Sequence, residues 1–196
     1  SVARGIRSSW AVAVIASVHD APGIDQDQLV ERMGVDLATA RLVLVNVPHP
    51  EEVVSEMAAL VRPGGIVAFH EVDWIANACD PPLPAWNRLV ELMVTYSRMN
   101  GNDLFIGRRV PRMLREAGLV DVRVNPLIHV PPPGHGRRML LLELVENLRE
   151  RVLSQGLIGE GELNESMAVL RRHLEDPHTL VLFSLYFQAW GRKAKQ

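Results

Sequence analysis

The sequence lacks the features that announce a disulfide scaffold, a membrane span or a polyanion-binding surface. Cys79 is the only cysteine in 196 residues; it rules out an internal disulfide and points to a reducing, cytoplasmic setting. No apolar run reaches the roughly 20 residues that a spanning helix needs, so no membrane partner is expected. Trp10 to Val18 is apolar, but His19 and Asp20 follow where a signal peptide places small cleavage-site residues. Charge of one sign is missing too: 21 Lys and Arg against 23 Asp and Glu leave −2, no global field for nucleic acid or membrane. Arg192, Lys193 and Lys195 read as a solvated basic end. There is no internal repeat and no Gly-x-Ser-x-Gly elbow, and His173 followed by Asp176 reads as a helix end, so a Ser-His-Asp hydrolase is not supported.

What is present is ordinary globular composition, 47% hydrophobic and 22% charged. The length suits one α/β domain, or one domain with a small appendage. The chain is organised around Ala38 to Trp74. Ala38 to Val47 is apolar and β-branched apart from Thr39, Arg41 and Asn46, which predicts a strand buried on both faces. Pro50 opens a helix, with Glu51 and Glu52 at the positive end of its dipole. Val53, Val54, Met57, Leu60 and Val61 give that helix an apolar face. Pro63-Gly64-Gly65 stops it, and Ile66 to Phe69 is a second short strand. Two strands joined by a helix make a right-handed βαβ unit in a parallel sheet, whose ligands bind beyond the strands' carboxyl ends. Attention falls on Asn46 to His49 and His70 to Trp74.

Elsewhere, Ile6 to Val18 has helical spacing, Ala21-Pro-Gly23 is a turn, and Asp25 caps a helix over Gln26 to Met33 that Gly34 ends. Residues 1–36 thus read as a helical element ahead of an α/β domain over 37–196. Beyond Trp74, the loop Pro81 to Pro84 leads into a helix marked by Trp86, Leu89, Val90, Met93 and Tyr96. After the Gly101-Asn-Asp103 loop, Val110, Met113, Leu114 and Ala117 mark another, closed by Gly118. Val120 to Val130 is a strand in which Pro126 suggests an edge or a bulge. Arg138 to Gln155 reads as one long helix, and Leu163, Met167, Leu170 and Leu174 mark the next.

Two stretches resemble known families. DAPGIDQDQLVERMGVDLATA resembles the helix-turn-helix core of winged-helix regulators of the multiple-antibiotic-resistance type, with Gly34 as the turn and Asp36 onward as the recognition helix. Only Arg41 is basic in Asp36 to Val47, and Leu42 to Val45 has no polar side. RLVLVNVPHPEEVVSEMAALVRPGGIVAFHEVDW, NGNDLFIGRRVPRMLREAGLVDVRV and TLVLFSLYFQAWGRK resemble, in that order, the later part of class I S-adenosylmethionine-dependent methyltransferases near the ubiquinone/menaquinone type. This resemblance covers residues about 38–193. It implies an α/β fold holding the fourth to seventh strands of a Rossmann-like sheet, with a helical insertion before the last strand. It also implies S-adenosylmethionine as cofactor and a small molecule as methyl acceptor. The Gly-rich turn and ribose-binding acid of that family's first half have no counterpart here; Asp36 sits directly ahead of the fourth-strand match.

Within this resemblance, Arg41, Leu42 and Asn46 fall on the cofactor side. Arg41 would contact a cofactor carboxylate or a substrate anion, or pair with an acid at a strand end. His70, Glu71 and Asp73 follow the fifth strand, where a His and a carboxylate serve as general base for an accepting hydroxyl or satisfy loop backbone. Trp74, Asn102 and Asp103 would line the substrate pocket; a loop aromatic and a helix cap are the alternatives. No metal site is expected, because His70, Glu71 and Asp73 do not share one side of a strand or helix. Without its usual neighbour the strand at 38–47 is an edge and needs a cover, by the N-terminal helices or by a second copy in a homodimer. Three functions stay open: a small-molecule methyltransferase, a non-catalytic binding or oligomerisation module, and a helix-turn-helix DNA-binding regulator.

Overall fold

Pro50 occupies the first turn of a helix because its missing N–H is one that the turn leaves unpaired anyway. Val53, Val54, Met57 and Ala58 are the buried face of that helix, which ends at Leu60. Around it, the computed structural model describes residues 2–4, 14–16 and 34–195. In chain order these form β1 (Val2–Arg4), β2 (Val14–Ala16), β3 (Val35–Arg41), α1 (Pro50–Leu60), β4 (Val61–Asp73), β5 (Ala78–Asp80), α2 (Pro84–Met99), α3 (Val110–Glu116), β6 (Leu119–Ile128), α4 (Leu140–Asn147), α5 (Arg149–Ser154), α6 (Glu160–Glu175), β7 (Leu180–Leu182) and β8 (Leu185–Lys193). Short 3-10 helices cover Leu44–Asn46, Trp74–Ala76, Ile106–Arg109 and Gly136–Met139. The class is α/β, as expected.

The chain divides into two compact units. One comprises residues 1–72, 105–127 and 186–196; the other comprises 73–104 and 128–185.

The first unit is built on a four-stranded sheet in the order β3-β4-β8-β6. β3 and β4 are parallel, with Leu37 opposite Ile66 and Arg41 opposite His70. The connection through α1 is the predicted crossover. β8 lies between β4 and β6 and runs against both. His70 meets Tyr186 while Gly64 meets Arg192. Likewise Asn125 meets Gln188 while Val122 meets Gly191. The sheet is therefore mixed. Between Val35 and Leu37 the ladder skips from Val61 to Ile66, so Arg62 to Gly65 bulge out of β4. Gly64 takes a φ of +81° there, a conformation that glycine adopts without steric cost. The Pro-Gly-Gly stop thus lies inside a long strand and not ahead of a short one.

One face of the sheet carries the core. Ala38, Ala40, Val67, Phe69 and Ala189 are all buried, α1 packs on β3, and α3 packs on α1. Gly107 brings the 3-10 turn Ile106–Arg109 against the end of β4. A Cβ at that position would stand 2.8 Å from Phe187 Cδ2 and 2.9 Å from the Val72 carbonyl oxygen.

The second unit gathers α2, α4 and α6 around Trp86, Leu89, Leu141, Leu142, Val145, Leu163 and Leu170, all at most 2% exposed. β5 and β7 form a small antiparallel ribbon beside them. Arg138 is buried, and it donates from Nε to the Leu174 carbonyl and from Nη2 to the Asp176 carbonyl, both at 2.9 Å. It closes the C-terminal end of α6, where four carbonyls lack helical partners.

Several expectations change. The strand read over Ala38 to Val47 runs over Val35–Arg41 instead, and Leu42 to Val47 turns away. A recognition helix from Asp36 onward is overturned by the same residues, because β3 is extended and hydrogen-bonded into the sheet. Val14–Ala16 is a strand inside the stretch that the spacing makes a helix. The rest of that stretch and the helix over Gln26 to Met33 lie outside the described residues. Arg138 to Gln155 is not one helix but a 3-10 turn, α4 and α5, with a break at Leu148. β3 ends the four-stranded ladder, and β2 runs alongside it.

Candidate functional site

Arg41 ends β3 and Leu42 turns the chain with a φ of +54°, an unusual conformation for a branched side chain. The turn is held from the next strand. Leu42 donates its N–H to the His70 carbonyl at 2.9 Å. Glu71, wholly buried, receives the following three N–H groups: Val43 at 2.9 Å and Leu44 at 3.0 Å on Oε1, and Val45 at 3.4 Å on Oε2. The 3-10 helix Leu44–Asn46 has no capping side chain of its own, so Glu71 supplies its cap from 27 residues away in sequence. A carboxylate at the N-terminal end of a helical turn satisfies orphan donors and opposes the local dipole. Burial nonetheless outweighs these bonds and pushes the Glu71 carboxyl up to about 7.

The other predicted residues in this unit fall around the same turn. Arg41 is exposed at the strand end. Asn46 is exposed, and its amide donates to the Leu42 carbonyl at 3.0 Å, bracing the turn. His70 is half-buried, its ring 5.2 Å from that of Tyr186 in an edge-on arrangement. The structure therefore brings Arg41, Leu42, Asn46, His70 and Glu71 together at the carboxyl end of β3 and β4.

The remaining predicted residues belong to the second unit. Asp73 is buried and accepts the Ile75 N–H at 3.0 Å, capping the 3-10 turn Trp74–Ala76. Trp74 is buried edge-on against Phe183, with ring centroids 5.3 Å apart, and its N–H donates to the Leu104 carbonyl at 3.0 Å. That bond ties Trp74 to the loop holding Asn102 and Asp103, both half-buried. Phe183 also meets Trp86, at 6.2 Å. Sequence reasoning missed Phe183 because it sits in what reads as one continuous final strand; the chain breaks there, at Ser184 with a φ of +61°.

The described residues do not compose a full S-adenosylmethionine site. Among those of the first unit, the acid at the carboxyl end of β3 and β4 is Glu71, and both of its oxygens are committed to backbone N–H groups. Neither it nor a Gly-rich turn is available among the described residues there for ribose or methionine. No group of three or more His, Cys, Asp or Glu side chains placed to hold a metal occurs among the described residues. No helix of the described residues is long and apolar enough to cross a membrane.

No family profile matches this sequence, and no curated protein does. Solved structures with a similar backbone course include phosphoethanolamine N-methyltransferase 2 of Haemonchus contortus, solved with phosphomonomethylethanolamine and S-adenosylhomocysteine. It is 13% identical at a TM-score of 0.42, covering 83% of this chain and 34% of that one. An arsenic(III) S-adenosylmethionine methyltransferase of Chlamydomonas reinhardtii is 16% identical at 0.36, covering 86% and 42%. The cyclase SpnF is 16% identical at 0.39, covering 83% and 51%. The chain spans about a third to a half of the length of these three proteins.

Proposed function

We propose that this chain is a methyltransferase-like half-fold: the acceptor-side strands of an S-adenosylmethionine-dependent methyltransferase for a small molecule, dependent on further protein for its cofactor. The Glu71-anchored turn is the observation that carries this reading. It is a built turn at the carboxyl ends of two parallel strands, where open α/β sheets bind ligands, yet its acid is spent on the chain's own backbone. Methyl transfer needs mostly positioning, so few diagnostic residues are expected. Glu71 is then a positioning residue, and Arg41 and Asn46 are the groups that face outward from the turn. His70 is the candidate general base in the first unit. In the second unit, Trp74 with Asn102 and Asp103 is the candidate acceptor pocket.

Titration calorimetry with S-adenosylmethionine tests the reading. The lone chain is expected to give no saturable heat below the millimolar range. Micromolar binding, weakened by Arg41→Ala, would make the chain self-sufficient and overturn the half-fold proposal.

A further inference from the structure

The face of the four-stranded sheet that carries Ile66 and Trp190 holds a cavity that the proposed function does not use. Its volume is about 300 Å³, and it is lined by Ile66, Asp121, Arg123, Trp190 and Arg192. Ligand sites begin at about that size. All five residues belong to the first unit and to three adjacent strands. The register explains why they meet. Gln188 bonds Asn125, so two residues along each antiparallel strand Trp190 comes opposite Arg123, and Arg192 comes opposite Asp121. Gly64 faces Arg192 across the other ladder, which puts Ile66 beside Trp190. The cavity lies at the start of β4. His70 and Glu71 lie four and five residues further along that strand, roughly 13 Å and more away at about 3.3 Å per residue.

The chemistry of the lining is mixed in a directed way. Ile66 and Trp190 are half-buried and give an apolar floor with one flat aromatic surface. Arg192 is pre-positioned, its Nη1 donating to the Gly64 carbonyl at 2.5 Å. Arg123 is exposed at the other side, and no ion pair or hydrogen bond from the described residues holds its guanidinium. Asp121, with a φ of +52°, lies at the rim opposite Arg192. Two guanidinium groups against one carboxylate leave the cavity net positive. Guanidinium forks match carboxylates bidentately and stack on flat rings. Leu37, in the same row as Ile66, is 43% exposed.

We propose that this cavity binds a small organic anion with a flat apolar body, an aromatic carboxylate in the simplest case. The ring lies on Trp190 and Ile66, and the carboxylate is taken by Arg123 and Arg192. The site goes beyond the methyl-transfer reading and does not depend on it.

The test follows the Trp190 indole N–H by nuclear magnetic resonance in the whole chain, with the signal assigned by Trp190→Phe. Indole-3-acetate, benzyl alcohol and acetate are titrated separately. A saturable shift is expected with indole-3-acetate in the millimolar range, at least about tenfold weaker with either half-probe. Arg123→Gln is expected to weaken indole-3-acetate roughly ten- to a hundredfold, the cost of a lost charge-assisted bond. Arg123 is exposed, so the variant should fold; unchanged dispersion of the other amide signals checks this. Three results would overturn the proposal: no saturable shift, equal shifts with the neutral alcohol, or a Trp190 signal that moves with protein concentration alone. The last would mean that a second copy covers the face.

Discussion

Replacing Glu71 by Gln separates the cost of burying its charge from the benefit of its three backbone bonds. The carboxyl has an ordinary value of 4.5 and stands at about 7 in the folded chain. A raised carboxyl value means that the folded state holds its proton more tightly than the unfolded state does. Below pH 4.5 both states are protonated and the group is neutral to stability. Between pH 4.5 and 7 the unfolded chain releases the proton while the folded chain keeps it, so stability falls as pH rises. Above 7 both are ionised and the loss is complete. Each pH unit between those two values costs about 1.4 kcal/mol, so the whole fall is about 3 kcal/mol. Glu71 is fully buried, so solvent does not screen this effect away. Urea unfolding of wild type and Glu71→Gln from pH 4.5 to pH 8 reads it directly. Relative to the variant, wild type should lose about 3 kcal/mol across this range, most of it before pH 7. The variant keeps an acceptor oxygen for Val43 and Leu44 but points an amide N–H₂ at the Val45 N–H, a pH-independent offset. Parallel curves would mean that the carboxyl titrates alike in both states. A difference of opposite sign would mean that the three N–H donors outweigh burial. Either result refutes the balance of forces assigned to this turn.

Two further substitutions test packing within each unit. Gly107→Ala places a methyl 2.8 Å from Phe187 Cδ2 and 2.9 Å from the Val72 carbonyl; thermal unfolding should show a loss of about 1–3 kcal/mol, and an unchanged midpoint would mean that the 3-10 turn is not seated on β4. Arg138→Met removes both bonds to the end of α6 and should cost about 3 kcal/mol in urea unfolding; a loss under about 1 kcal/mol would mean that the two carbonyls find other donors.

Local pattern is a sound guide to this chain where neighbours in sequence are also neighbours in space. Pro50, the first-turn acids and the apolar stripe place α1 to within a residue of its end, and α2 and α6 follow from the same spacing. The parallel pairing of β3 and β4 follows from the crossover. The failures have a common cause. Leu42 to Val45 is as strand-like as any stretch of the chain, and what bends it into a turn is Glu71, whose arrival cannot be seen from the four residues themselves. β5 is three residues long, too short for an alternating pattern, and exists because β7 pairs with it across a hundred positions. The breaks at Leu148 and Ser184 carry no Gly or Pro to announce them. The candidate site is half legible for the same reason. Its residues can be named from their place after the strands, but the role of Glu71 depends on which oxygen meets which N–H.

The position of β8 bears on how the chain is made. This strand fills the gap between β4 and β6, yet its residues leave the ribosome more than fifty positions after β6 is complete. Until then β4 and β6 cannot be joined through it, and each has an unpaired side at which another nascent chain can add a strand. Contacts this distant in sequence close slowly. The sheet therefore closes only once β8 has been made, and a nascent chain stalled before Leu185 leaves those two strand sides open to other chains.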